Sequence, residues 1–226
     1  MVASFIGLLA AGLLSPAAPI PVQQGVSDTT RVVRGINNQL FAWGTLVKTN
    51  GERLQGYLPT APAGQPGMVL YYALAPDSHP VRKPKILALS QVRWLRVQGQ
   101  HLEVIQPDRR QPDSAVLAAR RLTGALDLLH VPTAVAPLVS FLGPAPVLSS
   151  PAASTDALSQ GPGRWYARRA GGAPVLLDPA TFAAQVSALL ADTPDLARRV
   201  AAAEEGYRFA DVERVIQQYN QRARPR

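Results

Sequence analysis

Short apolar runs separated by turn-forming residues fill the middle of this 226-residue sequence. Runs such as LFAWGTLVK, MVLYYAL, KILALS, VRWLRV and HLEVI are rich in leucine, β-branched and aromatic residues, and Gly, Pro, Asn, Asp or Ser punctuate the connections between them. Such runs are typical of β-strands, and their close spacing favours an antiparallel sheet with short connections. The pattern predicts a β-rich domain over residues 25–131.

Three hairpins are predicted from turn chemistry. Asn50-Gly51 separates LFAWGTLVKT from ERLQGYL, and Asn-Gly accepts positive φ at both central positions of a tight turn. Thr123-Gly124 separates residues 115–121 from residues 125–131, although VLAARRL could instead form a short helix. A third hairpin is predicted over residues 164–177, around Gly171-Gly172.

The apolar period becomes helical after residue 177. Asp178-Pro179 and Thr193-Pro194 each pair a capping residue with a proline at the first helical position, and Gly206 is placed to end the second helix. Three apolar stripes follow these signals: Phe182, Val186, Leu189 and Leu190; Leu196 and Val200; Val212, Val215, Ile216 and Tyr219. Helices this short are marginal alone, so we expect them to pack on each other or on the sheet.

These patterns predict the fold class and the domain organisation. The fold class is α+β, with an antiparallel β-rich body, barrel-like or sandwich-like, followed by three short C-terminal helices. Residues 164–222 form a hairpin plus this helical unit. Residues 132–163 are rich in Pro, Ala and Ser and read as a loop or linker.

The N-terminal residues 1–24 have the composition of a secretory signal peptide. Val2 to Leu14 are uniformly apolar or small, and the small-residue stretch SPAA follows. The run is short for a membrane-spanning helix. A retained membrane anchor and a buried N-terminal helix are the alternatives to a cleaved signal peptide. The leader lacks Lys and Arg, which departs from the usual signal-peptide pattern. From the apolar run and the small residues after it, we expect an exported protein that is periplasmic, outer-membrane-associated or extracellular. We expect no transmembrane span in its mature chain.

Charge and cysteine content limit the function classes. The chain has no cysteine, which excludes thiol catalysis, disulfides and thiolate metal sites. Its formal net charge of +8 comes almost entirely from arginine, often in adjacent pairs such as Arg120-Arg121 and Arg168-Arg169. An anionic surface polymer or an envelope protein is the candidate partner for this charge, but the explanation that we favour is solvated arginines on strand and helix faces. With 6% aromatic residues, a nucleic-acid partner is not expected.

No catalytic, cofactor or metal motif stands out. His79, His101 and His130 have no metal-ligand spacing. Asp77-Ser78-His79 contains triad residue types, but three adjacent residues cannot adopt triad geometry. The carboxylates Glu103, Asp108 and Asp113 are close in sequence without marking a paired-acid site. The sequence therefore identifies no catalytic residue, no metal ligand and no cofactor.

Four polar residues on the last predicted helix form the one candidate recognition face: Asp211, Glu213, Tyr219 and Asn220. A structural interpretation is favoured over this one. Asp211 would complement the helix dipole, Glu213 would pair with Gln217 or Arg214, and Tyr219 would pack on the apolar side.

Three stretches carry a resemblance to a family: GTLVKTNGERLQGYL, RWYARRAGGAPVLL and YRFADVERVIQQYNQ. In this order they resemble a group of exported proteins of Gram-negative bacteria, in which a leader precedes a β-rich region and a short helical C-terminus. The last stretch is the most specific. The resemblance implies an envelope or periplasmic location and assigns no activity.

Two functions follow as hypotheses. The first is a non-enzymatic envelope or periplasmic binding or structural module. The second is an extracytoplasmic hydrolase whose catalytic residues the sequence does not identify. An enzyme should gather His or carboxylate residues in one cleft, whereas a binding protein should present a patch or a sheet edge.

Overall fold

The computed structural model describes residues 31–80, 83–107, 114–133 and 163–223. The predicted signal peptide and nearly all of the predicted linker lie outside these ranges. Eleven strands and three α-helices are defined within them. The strands are β1 Val32–Arg34, β2 Leu40–Lys48, β3 Arg53–Pro59, β4 Met68–Tyr71, β5 Lys85–Ala88, β6 Val92–Val97, β7 Gln100–Ile105, β8 Val116–Leu122, β9 Leu126–Pro132, β10 Gly163–Arg169 and β11 Val175–Leu177. The helices are α1 Phe182–Leu189, α2 Pro194–Ala201 and α3 Val212–Arg222.

Nine of the strands form one antiparallel sheet, which confirms the predicted α+β fold class. The strand order is β1-β2-β6-β7-β8-β9-β10-β11, with β3 pairing β2 on its other side, and β4 and β5 form a separate two-stranded sheet. Pro132 ends β9 and pairs in register with Gly163 at the start of β10, so both ends of the predicted linker are strand residues. The hairpin at 164–177 therefore continues the main sheet.

All three predicted hairpins form, and the helix alternative for VLAARRL is wrong because residues 116–122 pair with strands on both sides. The prediction of two positive φ angles at Asn50-Gly51 is also wrong, because only Gly51 has one (φ 86°). The Gly51 N–H donates to Lys48 O, and this bond closes a type I turn that is followed by a bulge at Gly51. The mirror-image turn occurs instead at Gln98-Gly99, with φ angles of 48° and 76°.

Strand alternation gives the main sheet two different faces. One cross-strand row runs Leu95, Leu102, Ala119, His130, Trp165 and Leu177. On this face, here called the helix face, β4 and β5 pack against the earlier strands and the three helices against β8 to β11. The opposite side carries Glu103, Arg120, Asp127 and Arg168, and we call it the network face.

The apolar stripes of the helices are buried as predicted except at Leu189, which is partly exposed at the edge of the core. Leu126, Leu128, Ala167 and Leu177 of the sheet form one core cluster with the helix residues Phe182, Val186, Leu190, Leu196, Val200, Val212, Val215, Ile216 and Tyr219. The second helix begins after Thr193 with Pro194, as its sequence predicts. No α-helix in the described ranges is long and apolar enough to cross a membrane.

Two helix boundaries differ from the prediction. α1 begins at Phe182, because the Asp178 carboxylate accepts the Ala180 N–H (2.8 Å) in a local turn and does not cap a helix. α2 ends at Ala201, before Gly206. Ala203 adopts positive φ (48°), and the Glu204 N–H donates to Arg199 O (3.2 Å), which closes the helix without glycine.

Candidate functional site

Four charged side chains from four consecutive strands meet on the network face. Arg168 Nη2 lies 2.7 Å from Glu103 Oε2 and 2.8 Å from Asp127 Oδ2. Arg120 Nη2 bonds to Glu103 Oε1 and lies 3.8 Å from Asp127 Oδ2. The two carboxylates are only 12% and 10% exposed. Two guanidinium groups and two carboxylates thus form a largely buried, charge-balanced network.

A β-bulge in β8 sets the direction of these side chains. Arg120 pairs with Leu129 and Leu122 pairs with Leu128, so Arg121 is the extra residue. Without the bulge, Leu122 would point to the network face; with it, Leu122 packs against the helix-face core. Arg120 stays in the network, whereas Arg121 bonds to Glu213 of α3 (2.8 Å). The side chains of these adjacent arginines therefore lie on opposite faces of the sheet, Arg120 on the network face and Arg121 on the helix face.

His101 extends the network towards β6. Its Nε2 lies 3.5 Å from Glu103 Oε1, and its ring stacks on Trp94 with centroids 5.1 Å apart. Burial, with Arg120 and Arg96 nearby, lowers the pKa of His101 below its usual value. His101 is therefore neutral at pH 7.

A cavity of about 510 Å³ opens beside this network. The described residues that line it are Arg93, Trp94, His101, Glu103, Val104, Arg120, Arg168, Gly171 and Gly172. Its volume lies within the range of roughly 300–1,000 Å³ typical of small-ligand sites. The cavity joins cations to an aromatic wall, a combination suited to an anionic ligand.

The nitrogen donors around the cavity differ in accessibility. Arg120 Nε and His101 Nε2 are buried without a hydrogen-bond partner among the described residues, and neither atom is accessible to solvent. Arg93 is exposed, and no ion pair is found for it within the described ranges. Arg93 is therefore the donor that is open to an anionic ligand.

The structure divides the four residues of the predicted recognition face into two pairs. Asp211 and Glu213 line a second cavity of about 810 Å³ together with Arg121 and Trp165, whereas Tyr219 and Asn220 are not part of its lining. Asp211 accepts the Arg208 N–H (3.2 Å), and Glu213 pairs with Arg121 instead of the predicted Gln217 or Arg214.

Tyr219 is buried between α3 and its neighbours. It is 1% exposed and donates to Asp192 Oδ2 (2.7 Å). Burial raises the pKa of Tyr219, and the bond from Tyr219 lowers that of Asp192.

Asn220 binds backbone instead of facing solvent. Its Oδ1 accepts the Leu126 N–H (2.9 Å), and its Nδ2 donates to Leu126 O (2.8 Å). This amide takes the place of a neighbouring strand at the start of β9. Gly124 makes room for it, because a Cβ there would overlap the Asn220 amide. Asn220 is therefore a docking contact between α3 and the sheet.

The cavity was not predicted from the sequence. Glu103 was grouped with Asp108 and Asp113, which lie outside the described residues, and it instead binds two arginines. The arginine pairs did carry a signal, because adjacent strand residues point to opposite faces, so each pair must place one guanidinium on each side. In the described ranges no group of three or more His, Asp or Glu side chains could hold a metal ion.

Comparison with family models, with curated proteins and with solved structures finds no match for this chain. The function is therefore argued from the geometry of the arginine-lined cavity.

Proposed function

We propose that this chain is an exported protein of the periplasm or outer envelope that acts as a non-enzymatic binding module for an anionic surface polymer. The observation that carries the proposal is the arginine-lined cavity, at which the exposed Arg93 has no ion-pair partner among the described residues. The formal charge of +8 would favour encounter with a polyanion. The leader-like N-terminus supports an exported location.

Binding to polymers of defined charge tests this function. We would titrate the full chain with polygalacturonate, polyphosphate and neutral dextran by calorimetry at two salt concentrations. A cavity ligand should bind with a stoichiometry near one site per chain and keep part of its affinity at raised salt. Binding that disappears with salt for every polyanion would contradict the proposal and leave only nonspecific attraction.

An Arg93→Gln variant locates the site, and Arg222→Gln is its matched control. Both arginines are exposed, and both substitutions remove one charge. Arg222 lies on α3, which packs on the helix face of the sheet, and it is not part of the cavity lining. The proposal predicts weaker polymer binding for Arg93→Gln alone. Equal losses would show that overall charge, and not the cavity, governs binding.

A hydrolase is the second candidate, because His101 and Glu103 are gathered in this one cavity. Against it, both oxygens of Glu103 are engaged by arginines, which leaves the carboxylate poorly placed as a general base. Incubation with the bound polymer, followed by measurement of new reducing ends, distinguishes the two functions. Chain cleavage lost in His101→Gln would establish the hydrolase.

A further inference from the structure

We infer that the outer face of the two-stranded sheet β4–β5 docks on the surface of a membrane that contains anionic lipid. Four apolar side chains share this face, which we call the β4–β5 patch: Met68, Leu70, Ile86 and Ala88. None of these residues lines the cavity on the network face. The patch is therefore a second surface, separate from the proposed polymer site.

The small sheet is apolar on both of its faces. The residues that point inward, into the core cluster shared with the main sheet, are Val69, Tyr71 and Leu87. In the register of the two strands Met68 pairs with Ala88 and Leu70 pairs with Ile86, so these four side chains point the other way. An antiparallel sheet that faces water normally carries polar side chains there. An apolar outer face instead indicates an interaction surface.

The centre of the patch is strongly exposed. Ile86 is 65% exposed and Met68 is 53% exposed, two of the three highest values among the large apolar side chains of the described residues. They are diagonal neighbours across the strand pair, so they form one contiguous surface. Ala88 is exposed beside them, and Leu70 is half-buried.

The charge of this part of the chain favours an anionic partner. Residues 31–100 contain nine basic and two acidic residues, which is a net charge of +7 out of +8 for the whole chain. Both acids are already paired, Glu52 with Lys48 and Asp77 with Arg31. Lys85, the first residue of β5, is exposed. The apolar patch therefore lies in the half of the sequence that carries nearly all of the net positive charge.

A membrane surface fits both properties better than other partners do. Pairing of two β5 edges would bring Lys85 of both copies into one interface, and lysines on an edge strand oppose such pairing. A soluble polyanion would attract Lys85 but would gain nothing from Ile86 and Met68. At a bilayer, apolar side chains enter the interface while lysines bind anionic headgroups.

Flotation with lipid vesicles tests this inference. Vesicles that mix phosphatidylglycerol with phosphatidylcholine should bind the chain at least about tenfold more tightly than phosphatidylcholine alone. Ile86→Ser should weaken binding to the mixed vesicles about tenfold, because the lost side chain no longer enters the interface. Lys85→Gln should weaken it about fivefold, the loss expected for one cation near an anionic surface. Circular dichroism would verify that the variants are folded.

Each variant has a matched control. Leu176→Ser removes an apolar strand residue that is 43% exposed on β11, and Arg222→Gln removes an exposed charge on α3. Both should leave vesicle binding unchanged. The measurement is made on the full chain and on a chain that begins at residue 25, because the apolar residues 2–14 would themselves enter lipid.

Three results would overturn the inference. They are equal binding to neutral and anionic vesicles, equal losses for Ile86→Ser and Leu176→Ser, and a dimer in analytical ultracentrifugation that Ile86→Ser dissociates while vesicles are not bound. The last result would assign the patch to a second copy of the chain. Loss of vesicle binding in Ile86→Ser with polymer binding unchanged would support the inference and separate it from the proposed function, which Arg93→Gln tests independently.

Discussion

The two faces of strands β7 to β10 have the same backbone and different chemistry. On the helix face, leucines and an alanine of the sheet are buried beneath three helices in one large apolar cluster, and the Arg121–Glu213 ion pair lies on the same side. The network face combines a smaller buried apolar cluster with two arginines and two carboxylates that neutralise one another beside a cavity. The residues of that smaller cluster are Ile105, Val116, Ala118, Leu129, Val131 and Tyr166. Alternation along each strand produces this division, as in β9, where Asp127 lies between Leu126 and Leu128.

The difference indicates how each face contributes. Burial of apolar area stabilises the folded chain, and each large buried side chain adds roughly 1.5–3 kcal/mol. A buried charge network gains little over apolar residues of the same size, because desolvation offsets the attraction between the charges. The apolar clusters therefore stabilise the fold, the larger one on the helix face, whereas we propose that the charged part of the network face serves binding.

The largest effect is expected on the helix face. Ile216 is fully buried in the cluster between α3 and the sheet. Ile216→Ala should lower the free energy of unfolding by about 2–5 kcal/mol, because it leaves a cavity there. Chemical denaturation of the full chain measures this. The exposed neighbour Gln217→Ala should change stability by no more than about 0.5 kcal/mol. Similar values for the two variants would show that α3 is peripheral.

Removal of one side chain from the charge network should lower the free energy of unfolding by less than Ile216→Ala does. Arg168→Gln removes the shared partner of Glu103 and Asp127, and we expect a loss of about 1.5–3 kcal/mol in denaturation.

Replacing the whole network sharpens the comparison. A variant with Glu103→Leu, Arg120→Met, Asp127→Leu and Arg168→Met should unfold with unchanged stability or gain about 1–4 kcal/mol, while it loses polymer binding. If this variant unfolds far more easily than the wild type, the network holds the fold together and our division between the faces is wrong.

A smaller effect is expected where α3 docks on β9. Asn220→Ala leaves the Leu126 N–H and C=O without their partner, which should cost about 1–3 kcal/mol. Gly124→Ala should also destabilise, because its Cβ overlaps the Asn220 amide. The double variant should cost less than the sum of the two, and a double-mutant cycle measures the coupling. Strict additivity would contradict the contact.

The smallest effect is pH-dependent and belongs to His101. Its pKa in the folded chain is lowered below 6.5, so the unfolded chain takes up the proton first as the pH falls. The stability that neutral His101 provides is therefore present above pH 6.5 and is lost as the pH falls through its lowered pKa. Subtracting the His101→Gln stability profile from that of the wild type should isolate this decline. A flat difference between pH 7 and pH 5 would show that His101 is not desolvated.

The elements could be predicted from local chemistry, because turn residues and apolar periods act over a few positions. Strand pairs around Asn50-Gly51 and Thr123-Gly124, and the stripes ending in Ile216 and Tyr219, follow from such signals. The helix boundaries at Phe182 and Ala201 do not follow from these signals, because a local turn at Asp178 and the left-handed conformation of Ala203 determine them.

The site depends on information that sequence spacing does not contain. Glu103 meets Arg168 only because β8 and β9 intervene in a particular register, and the bulge at Arg121 adjusts that register. Asn220 likewise binds Leu126 across 94 positions of sequence. A strand pattern predicts which residues share a face, but not which of them touch.

The most direct test of the division between the two faces is an NMR titration of the full chain with short chains of polygalacturonate. We predict saturable shifts of the Trp94 indole N–H and Arg93 Nε–H signals, while the side-chain amide signals of Asn220 do not move. Shifts centred on Asn220 and the helices, or none at the cavity, would contradict the assignment of binding to the network face.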